Sequence, residues 1–517
     1  MDTQVVIIGA GPVGLYSAAR LGQQGISVIV VERNQQILRH GSKALCIQAD
    51  VLDLLEKVDC KSYLLAKGCP WNRSTTFVGD VEVKRELFEN RRQTPPFLNV
   101  AQWEVEESLY KKALETQKVE FLWGHEFKSL EQDSDKVRVI IECEGLTKTI
   151  NSRFAIAADG SRSSVRNELN APGVGQRHAD RFLIVDMTAA LDWPKERRFW
   201  FDAVSNPGRQ IVMHPHSDNG WRIDWQLATN SDPAEAEAVE NVSRRVRALI
   251  GPDIPFTLDW ISTYRFNQYH LTQLKMGNVL FAGDAAHSFP PFGARGMNSG
   301  LQDAENLSWK IIAILVWGAA ESLLDTYHEE RYLAAKENIE ITRKTIRFMV
   351  PPTVLHRWYR NALLKVSAKL RSGKAVNSGK MSQPTVYTKV STVHSEPYQL
   401  PGSSIIVGQL LSQLGQFSKF IRSHIGHNFT IMLGPAVLIE KVEEIQSTYG
   451  VHGSNVFILQ QNNLTETADQ KLYIEILNSI GTDVAVIRPD GYLIGASSQN
   501  VVAMLEQCFR SHGMSGN

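Results

Sequence analysis

Short apolar runs without polar alternation open the chain. Residues 5–8 read Val-Val-Ile-Ile, and residues 27–31 read Ser-Val-Ile-Val-Val. Runs that are apolar at every position are typical of parallel strands covered on both faces. A helical pattern through Gln24 lies between the two runs. Residues 1–33 therefore predict a β-α-β unit.

The turn after the first predicted strand contains glycines at three positions that a dinucleotide site requires. Gly9 permits the sharp turn, Gly11 lets a pyrophosphate approach the backbone, and Gly14 allows close packing of helix and strand. Pro12 suits a first helical turn, whose free N–H groups and dipole favour phosphate. Glu32 ends the second strand, where an acid accepts hydrogen bonds from a ribose diol. The spacing predicts a dinucleotide-binding unit.

The pattern of apolar positions changes along the rest of the chain. Two further apolar runs, residues 154–158 and 278–282, predict buried strands that end in Asp-Gly and Gly-Asp turns. Residues 102–113 carry apolar side chains at a spacing of four and predict an amphipathic helix. Between about residues 182 and 266, aromatic-rich segments indicate antiparallel strands. We expect these strands to form a second domain.

The last third of the chain begins with long helical patterns. These continue to Val350, where Pro351-Pro352 ends them. Residues 371–400 are rich in Ser, Gly, Lys and Pro, which predicts a linker. From about Gln399, short apolar strands alternate with helical patterns. This end of the chain predicts a small α/β module.

Composition and charge narrow the classes of protein. The 517 residues suffice for about three folding units at roughly 150 residues per domain. Apolar residues make up 43% and charged residues 21%, as in folded globular proteins. Lys plus Arg and Asp plus Glu each number 55, so the formal net charge is zero. Neither a nucleic acid nor an acidic membrane surface is therefore expected as a partner.

Cysteine usage and apolar stretches bear on the compartment. We expect reduced thiols and no metal site, because the cysteines include no C-x-x-C pair. No basic segment precedes the first apolar run, which argues against a signal peptide. Residues 311–320 form an apolar stretch about half as long as a spanning helix of roughly 20 residues. A cytoplasmic protein is expected. The five cysteines are Cys46, Cys60, Cys69, Cys143 and Cys508.

Three motifs together resemble those of the FAD-dependent aromatic hydroxylases of the para-hydroxybenzoate hydroxylase type. They occur in the order and spacing of that family and span about 300 residues. The resemblance implies an α/β fold in which a Rossmann-like FAD-binding domain is interleaved with an antiparallel-sheet substrate domain. The motifs are Gly9-x-Gly11-x-x-Gly14 with Glu32-Arg33, Ala158-Asp159-Gly160-x-Arg162-Ser163, and residues 283–298, Gly-Asp-Ala-Ala-His-x-x-Pro-Pro-x-Gly-x-x-Gly-x-Asn.

The resemblance also implies where the domains lie. The FAD-binding domain would comprise residues 1–72, 98–175 and 269–350, and the substrate domain residues 73–97 and 176–268. Residues 351–398 would form a helix and a linker. Residues 399–517 resemble the thioredoxin-like α/β extension of larger members, with Ile-Arg-Pro-Asp-Gly-Tyr at 487–492 as a strand-turn-strand. Without a C-x-x-C pair this module would have structural roles, such as dimer contacts, and no dithiol chemistry.

The family pattern assigns cofactor contacts to matching positions. Glu32 would hold the adenosine ribose, Gln102 would contact FAD, and Asp284 would accept hydrogen bonds from the ribityl chain. The Asp159-Gly160 turn would approach FAD and the reductant. The helix that begins near Gly296 would direct N–H groups at the pyrimidine edge of the isoalloxazine, where reduced flavin is anionic. The implied cofactor-binding residues are Gly9, Gly11, Pro12, Gly14, Glu32, Arg33, Lys43, Gln102, Asp159, Gly160, Gly283, Asp284, Pro290, Gly296, Met297 and Asn298.

Two cationic positions leave alternatives open. Lys43 stands where the family commonly has an arginine, and lysine keeps the charge but loses the planar fork that grips phosphate. Its assignment as a cofactor or NAD(P)H anchor is weaker for that reason. Arg295 is either a cation near the flavin or a surface arginine, and the sequence favours neither.

A single dinucleotide motif is present, and the resemblance assigns it to FAD. The family then implies that NADPH or NADH binds transiently in a groove, reduces the flavin and leaves. O2 would add to the reduced flavin to give a C4a-hydroperoxide that attacks an electron-rich aromatic ring. The protein would have to exclude water, because water destroys the peroxide.

The substrate side of the site rests on the antiparallel domain and the Pro290-Pro291 loop, which in the family enclose an aromatic substrate. A phenol reacts more readily as phenolate, so a base is expected. In residues 221–227, Arg222, Asp224 and Gln226 share one face, and either face could line the pocket; Trp225 is interpreted as core. His214 and His216 could equally be ordinary strand or surface histidines. The candidate bases are His214, Tyr264 and Tyr269, Arg222 or Arg209 could hold an acidic substituent, and the predicted catalytic set is His214, Tyr264, Arg222 and Pro291.

These observations predict an FAD-dependent, NAD(P)H-consuming monooxygenase that hydroxylates a phenolic or related aromatic ring. One alternative is an FAD-holding binding or assembly protein without turnover, which the lysine at position 43 and the missing obvious base suggest. A second is a flavin-dependent halogenase. That class typically carries G-W-x-W-x-I-P, whereas this chain has Ile223 in place of the second tryptophan, so the halogenase hypothesis is disfavoured.

Overall fold

The structure is a computed structural model of the chain. Among the described residues, none of the helices combines the length and apolar character that a bilayer span requires. The residues described are 1–39, 41, 44–88, 94–228, 230–351, 353–388, 390–393, 405–413, 420, 428–435, 437, 444, 456–461, 464, 466–497 and 501–512.

The strands lie mainly in the first 290 residues and again near the end of the chain. In chain order they are β1 (Val5–Ile8), β2 (Val28–Glu32), β3 (Cys46–Gln48), β4 (Cys69–Trp71), β5 (Arg73–Val78), β6 (Val81–Leu87), β7 (Phe97–Asn99), β8 (Val119–Trp123), β9 (Glu126–Gln132), β10 (Val137–Cys143), β11 (Leu146–Ser152), β12 (Phe154–Ala157), β13 (Gly173–Ala189), β14 (Arg197–Phe201), β15 (Gln210–Pro215), β16 (Gly220–Gln226), β17 (Phe256–Leu271), β18 (Lys275–Met276), β19 (Val279–Phe281), β20 (His287–Ser288), β21 (Phe429–Leu433), β22 (Val456–Gln460), β23 (Val484–Ile487) and β24 (Leu493–Ser497).

The two longest helices follow the third motif. In chain order the helices are α1 (Pro12–Gly22), α2 (Ala49–Glu56), α3 (Lys61–Lys67), α4 (Gln102–Glu115), α5 (Ser164–Glu168), α6 (Pro233–Glu237), α7 (Val239–Ile250), α8 (Gly296–Trp317), α9 (Asp325–Met349), α10 (Val354–Leu370), α11 (Thr467–Ile480) and α12 (Val501–Ser511). Single 3-10 turns occur at Gly283–Ala285, Glu321–Leu324 and Leu411–Gln413.

A six-stranded sheet with the order β18-β19-β12-β1-β2-β8 carries the first and second motifs. Strands β19, β12, β1, β2 and β8 run parallel, and β18 pairs antiparallel at the edge. Every residue of β1 and β12 is buried, as their uninterrupted apolar runs predicted. Helix α1 packs between α4 and α8 on this sheet. The predicted β-α-β unit and its parallel strands are confirmed.

An eight-stranded sheet with the order β20-β17-β13-β16-β15-β14-β5-β6 forms the second layer of the site. Its pairings are antiparallel except for β14 with β5. Trp221, Ile223 and Trp225 point to the face that packs on α7 and are buried in its core. The alternation along β16 therefore places Arg222 and Asp224 on the opposite face. That opposite face looks toward the six-stranded sheet.

The end of the chain forms a four-stranded sheet with the order β22-β21-β23-β24. Strand β21 runs parallel to β22 and antiparallel to β23. The module contacts the helical layer through the ring of Phe429, whose centroid lies 5.9 Å from that of Trp309 on α8. Its comparison with a thioredoxin-like extension stays a prediction.

The segment between α10 and the last sheet differs from a solvated linker. Residues 373–388 have no helix or strand, as their composition indicated. Met381 and Tyr387 are nevertheless buried, and the Ser382 N–H donates to the Gly293 carbonyl at 3.0 Å. A high content of Ser, Gly and Pro predicts a segment without helices or strands. It does not predict whether that segment is solvated or packs against a neighbouring element.

Helices α8 and α9 share buried ion pairs behind the third motif. Asp303 accepts hydrogen bonds from Arg331 Nε at 2.6 Å and from the Gly283 N–H at 3.0 Å, and its Oδ2 lies 2.6 Å from His287 Nε2. Burial alone would raise the pKa of Asp303, but His287 and Arg331 outweigh it, so that the pKa lies below its ordinary value. A charged Asp303 thus holds the Gly283 turn in place.

Candidate functional site

A cavity of about 450 Å³ lies between the carboxyl end of the six-stranded sheet and the polar face of the eight-stranded sheet. The three sequence motifs meet at it: Gly11 from the first, Gly160 from the second and Asp284 from the third all line its wall. Binding sites of open α/β sheets lie at the carboxyl ends of the strands. The volume is of the size that small organic ligands occupy.

The turn between β1 and α1 leaves its backbone open to a ligand. Gly9 has a φ of +105°, and a Cβ there would lie 2.5 Å from the carbonyl oxygen of Ala158. A Cβ at Gly14 would lie 2.0 Å from the carbonyl oxygen of Gly9, so both glycines are required for packing. Around Gly11, by contrast, no heavy atom of the described residues other than its chain neighbours lies within 4 Å of the Cβ position. The structure therefore has open space where a pyrophosphate would approach.

Helix α1 starts directly at this open turn. Pro12 occupies its first turn, and Gly11 at the N-cap offers no side-chain cap. Uncapped N–H groups at a helix start, together with the dipole, form a site for an anion. The Glu32 carboxylate accepts from the Ala10 N–H at 2.9 Å and from the Asn34 N–H at 2.9 Å, so it stands at the same turn. Arg33 beside it is exposed.

The second motif supplies one wall and one helix cap. The Asp159 Oδ2 accepts from the N–H groups of Ser164 and Val165 at 2.7 and 3.1 Å, which fixes the start of α5. Asp159 Oδ1 is buried and has no hydrogen-bond partner among the described residues. Burial raises the pKa of Asp159, although these hydrogen bonds lower it in part. Gly160, with a φ of +80°, lines the cavity.

The third motif places an acid next to the start of α8. Asp284 is exposed at the cavity, and its Oδ1 lies 4.0 Å from the position of a Cβ on Gly296. Asn298 is buried and ties this helix start to β3: its Oδ1 accepts from the Gln48 N–H at 3.0 Å and its Nδ2 donates to the Cys46 carbonyl at 2.8 Å. Met297 lines the cavity one residue earlier. These bonds fix the direction in which the helix start points.

Arg295 is buried, which the sequence did not decide. Its Nε donates to Asn338 Oδ1 at 3.0 Å, and its Nη1 donates to the carbonyls of Phe292 and Lys380 at 2.7 and 2.9 Å. Nη2 has no partner among the described residues, and the side chain lines the cavity. Burial lowers the pKa of Arg295 to about 10, so the guanidinium stays charged at neutral pH. The surface alternative for Arg295 is wrong.

The polar face of the eight-stranded sheet forms the opposite wall. Arg222 pairs across the strands with His214 on one side and with Asp186 on the other. In the next row, Asp224 lies between Val212 and Ile184. His214, Arg222 and Asp224 line the cavity together with Tyr264 from β17. The question of which face of β16 points inward is thus answered by the packing of its tryptophans.

The electrostatics of this wall depend on burial. Burial lowers the pKa of His214 well below its ordinary value, and Arg197 and Arg222 lower it further, so the imidazole is neutral. Its Nδ1 is buried without a partner among the described residues. Burial raises the pKa of Tyr264 well above its ordinary value, and Asp224 adds to that effect. Neither ring is therefore ionised at neutral pH.

The structure brings most, but not all, of the predicted site residues to one cavity. Lys43 lies outside the described residues. Tyr269 and Arg209 do not line the cavity: the Tyr269 ring lies 5.0 Å from the Arg166 guanidinium, and the half-buried Arg209 donates from Nη1 to the Pro207 carbonyl at 3.4 Å. The predicted residues Gly9, Gly14, Glu32, Arg33 and Asp159 are not among its lining residues either. The predicted residues that line it are Gly11, Pro12, Gln102, Gly160, His214, Arg222, Tyr264, Gly283, Asp284, Pro290, Pro291, Gly296, Met297 and Asn298.

Sequence reasoning missed three lining residues that matter for the chemistry. Arg197 and Asp224 lie on strands whose alternation was readable, and Asp224 shares its face with Arg222. That shared face was the available signal. Met381 lies in the segment predicted as a linker, and nothing in its local pattern indicates a wall position.

The backbone and side chains that line this cavity match the groups that an FAD molecule presents. The glycine turn leaves its backbone uncovered, a helix starts at the same space, and Asp284 lines that space as well. Residues 2–342 match the model of the FAD binding domain family. The chain belongs to the FAD binding domain family. The match confirms the cofactor that the three motifs predicted.

Relatives in this family carry names of aromatic hydroxylases and monooxygenases. The chain is 30% identical to tetracenomycin B2 monooxygenase-dioxygenase of Streptomyces olivaceus, over 67% of this chain and 70% of that protein. It is 28% identical to 3-(3-hydroxy-phenyl)propionate/3-hydroxycinnamic acid hydroxylase of Comamonas testosteroni, over 66% of this chain. The chain spans 58% of the length of the Comamonas protein.

Solved structures share the fold along the whole chain. The flavin-dependent monooxygenase PieE, crystallised with FAD and substrate, aligns with a TM-score of 0.81 at 19% identity and covers 100% of both chains. Aklavinone-11 hydroxylase, in a ternary complex with FAD and aklavinone, aligns with a TM-score of 0.73 at 17% identity over 99% of both chains. At these identities the likeness shows the fold. The predicted α/β architecture is confirmed.

Proposed function

We propose that this FAD-binding protein is a monooxygenase that uses NADPH or NADH and O2 to hydroxylate a phenolic or related aromatic ring. One observation carries the proposal: a single cavity has the dinucleotide cradle at one end and the polar face of the eight-stranded sheet at the other. A flavin and a second small molecule can therefore meet in one space. When bound, reduced FAD supplies the activation of O2 and the transfer of one oxygen atom.

The chain's own residues would hold FAD at three points. The open start of α1 offers N–H groups to the pyrophosphate. Asp284 accepts hydrogen bonds from hydroxyl groups of the ribityl chain. The start of α8, at Gly296 and Met297, directs its dipole at the flavin ring and favours the negative charge that reduction creates.

The substrate side is built to exclude water from an aromatic ring. Phe182 and Phe292 are buried at the cavity with ring centroids 6.0 Å apart, and Phe289 lines it beside them. Pro290 and the exposed Pro291, in the loop before α8, line the same cavity. Apolar walls with a few convergent polar groups are typical of sites for aromatic ligands. Dry walls also protect a reactive oxygen species from water.

The polar groups of the sheet would orient a hydroxylated ring. Neutral His214 offers an unpartnered ring nitrogen, and Arg222 is held rigidly by Asp186 through bonds of 2.7 Å from both Nε and Nη2. Tyr264 places a phenol beside them. The names of the relatives support substrates of this class, since hydroxyphenylpropionate is a phenol. They also favour a monooxygenase over a halogenase or an FAD-holding protein without turnover.

A turnover assay tests the proposal. The FAD-loaded protein is mixed with NADPH or NADH, O2 and single phenols, including 3-(3-hydroxyphenyl)propionate, 4-nitrophenol and a polycyclic phenol. Hydroxylated product and hydrogen peroxide are both quantified. We expect at least one phenol to accelerate oxidation of the reductant and to yield product, whereas the matching ring without a hydroxyl group yields none. Peroxide without product for every phenol would refute the hydroxylase function.

A further inference from the structure

Asp224 occupies the centre of the substrate wall. It lies on β16, two residues beyond Arg222 on the same face, and its cross-strand neighbours are the apolar Val212 and Ile184. All four residues line the cavity. Ile223 and Trp225 on either side of Asp224 point to the opposite face of the sheet, so the Asp224 side chain points toward the cavity. Placing a carboxylate among apolar neighbours costs free energy of folding unless the carboxylate is paired or hydrogen-bonded.

The nearby cations are committed to other partners. Arg222 donates to both oxygens of Asp186 at 2.7 Å. Arg197 donates from Nη1 to Ser74 Oγ and from Nη2 to the Ser378 carbonyl, each at 3.0 Å. Among the described residues, none donates a hydrogen bond to the Asp224 carboxylate. The carboxylate oxygens are therefore available to a ligand in the cavity.

The other polar groups of the wall are poor proton acceptors. Neutral His214 has a pKa far below its ordinary value, because it is buried beside Arg197 and Arg222. An imidazole with such a low pKa holds a proton weakly. Tyr264 would have to be a tyrosinate to accept a proton, and burial raises its pKa well above the ordinary value. Both side chains can orient a substrate by hydrogen bonding, but neither suits a base near neutral pH.

Asp224 differs from both. Burial raises its pKa to about 7, although Arg222 and Arg197 lower it in part. A general base is most effective when its pKa lies near the working pH. The titratable groups that face Asp224 come from its own strand and from four others: Arg222 on β16, Asp186 on β13, Arg197 on β14, His214 on β15 and Tyr264 on β17.

We propose that Asp224 is the catalytic base that takes the proton from the phenolic hydroxyl of the substrate. This inference rests on the proposed function. The phenolic O–H bond breaks, its electron pair stays on the oxygen and enriches the ring, and a new O–H bond forms on the Asp224 carboxylate. After the ring has gained its oxygen, the C–H bond of the hydroxylated carbon breaks as the ring regains aromaticity, and that proton goes into the water formed from the second oxygen atom of O2. Asp224 returns its own proton to the phenolic oxygen. Arg222 and Arg197 stabilise the negative charge of the phenolate while Asp224 holds the proton.

The test compares Asp224→Asn with wild type over a series of phenols of increasing acidity. For phenols that are un-ionised in solution, we expect product formation by Asp224→Asn to fall about 100-fold or more, a typical contribution of a general base. For 4-nitrophenol assayed at a pH above its own pKa, the loss should be less than about tenfold, because no proton remains to be taken. Asp224→Glu should restore part of the rate for un-ionised phenols.

The pH profile gives a readout that a structural role would not move. Wild-type product formation should rise as Asp224 loses its proton, with a midpoint near pH 7, and this rise should be absent in Asp224→Asn. Asp259→Asn is the matched control, since Asp259 is an exposed carboxylate on β17 of the same sheet, accepts a hydrogen bond from Thr188 Oγ1 at 2.9 Å and does not line the cavity. The control should keep the wild-type rate and profile.

The outcomes separate this proposal from the proposed function. If wild type forms no product from any phenol, the hydroxylase function fails and the role of Asp224 falls with it. If wild type forms product and Asp224→Asn keeps the rate and the same pH profile, the function stands and the base assignment is overturned. An equal loss for ionised and un-ionised phenols would also overturn it, because that pattern indicates a damaged pocket.

Discussion

Acidic side chains in two regions of this protein differ in whether they have hydrogen-bond partners. Behind the third motif, Asp303 contacts Arg331 and His287, and Glu330 accepts from Lys310 at 3.1 Å and from Arg488 at 2.6 Å. In the substrate wall, the Asp224 carboxylate receives no hydrogen bond from the described residues. Asp303 and Glu330 are fully buried, whereas Asp224 is half-buried at the cavity, where a ligand can reach its carboxylate.

The pKa values show what this difference means. The pKa of Glu330 lies well below its ordinary value, because Arg488 and Lys310 outweigh the effect of burial. The pKa of Asp224 rises to about 7, because burial, together with the Asp186 carboxylate, outweighs the effect of Arg222 and Arg197. Perturbed groups in a cleft mark functional sites, whereas paired groups serve structure. We infer that the ion pairs of Asp303 and Glu330 stabilise the helices behind the Gly283 turn, and that the Asp224 carboxylate interacts with a substrate.

The largest effect is expected from breaking the network at Asp303. Asp303→Asn removes a charge that Arg331 and His287 require, and removal of one partner from a buried ion pair costs about 3–5 kcal/mol. The Gly283 N–H also loses its charged acceptor, so FAD content should fall. Urea unfolding and the absorbance of bound flavin measure both. Asp325→Asn, which breaks the exposed pair with Lys275, is the control and should cost less than about 1 kcal/mol.

Arg295 is an intermediate case, since it is buried but bound to neutral oxygens. Arg295→Met should lower the free energy of unfolding by about 1–3 kcal/mol, because the Phe292 and Lys380 carbonyls lose their donor. FAD and substrate binding should weaken as the loop of Pro290 loosens. Urea unfolding and flavin titration report the two effects. A variant as stable as wild type would show that these carbonyls find water instead.

The next effect concerns the cofactor and leaves the folding energy unchanged. Asp284→Ala should weaken FAD binding by about tenfold or more, since a hydrogen bond to a charged group contributes about 1.5–3 kcal/mol. Asp284 is exposed, so the unfolding of the FAD-free protein should change by no more than about 0.5 kcal/mol. Flavin fluorescence titration gives the affinity. Unaltered affinity would contradict the ribityl role of Asp284.

The remaining effect has the opposite sign. The pKa of Asp224 is higher in the folded protein than its ordinary value, so its contribution to stability is unfavourable and grows as the pH rises toward 7. Asp224→Asn should therefore be more stable than wild type by about 4 kcal/mol at pH 8, because each unit between the ordinary pKa and the raised pKa corresponds to about 1.4 kcal/mol, and equal to it near pH 4. Thermal unfolding at both pH values measures this difference. Destabilisation at pH 8 would mean that Asp224 has a structural partner.

Much of the cofactor end could be predicted from the sequence, because backbone geometry there demands particular residues. Gly9 and Gly14 have no space for a Cβ, and such demands appear directly as a spaced motif. The substrate end is different. Alternation along residues 220–226 defines two faces, but only the packing of the tryptophans on α7 decides which face is inward.

Long-range contacts explain what the sequence did not predict. Arg295 is buried by residues 43 and 85 positions further along the chain, Asn338 and Lys380, which no local pattern connects to it. Met381 reaches the cavity from a segment whose composition indicates only irregular backbone. The titration of Asp224 likewise depends on Arg197 and Asp186, which lie on other strands.

We infer that the Asp224 carboxylate, which receives no hydrogen bond from the described residues, titrates near neutral pH. Infrared difference spectroscopy of wild type minus Asp224→Asn isolates the carboxyl band of this one side chain, and its intensity as a function of pH gives the pKa directly. We expect a midpoint at a pH of about 7. A midpoint near the ordinary aspartate value of about 4 would contradict it.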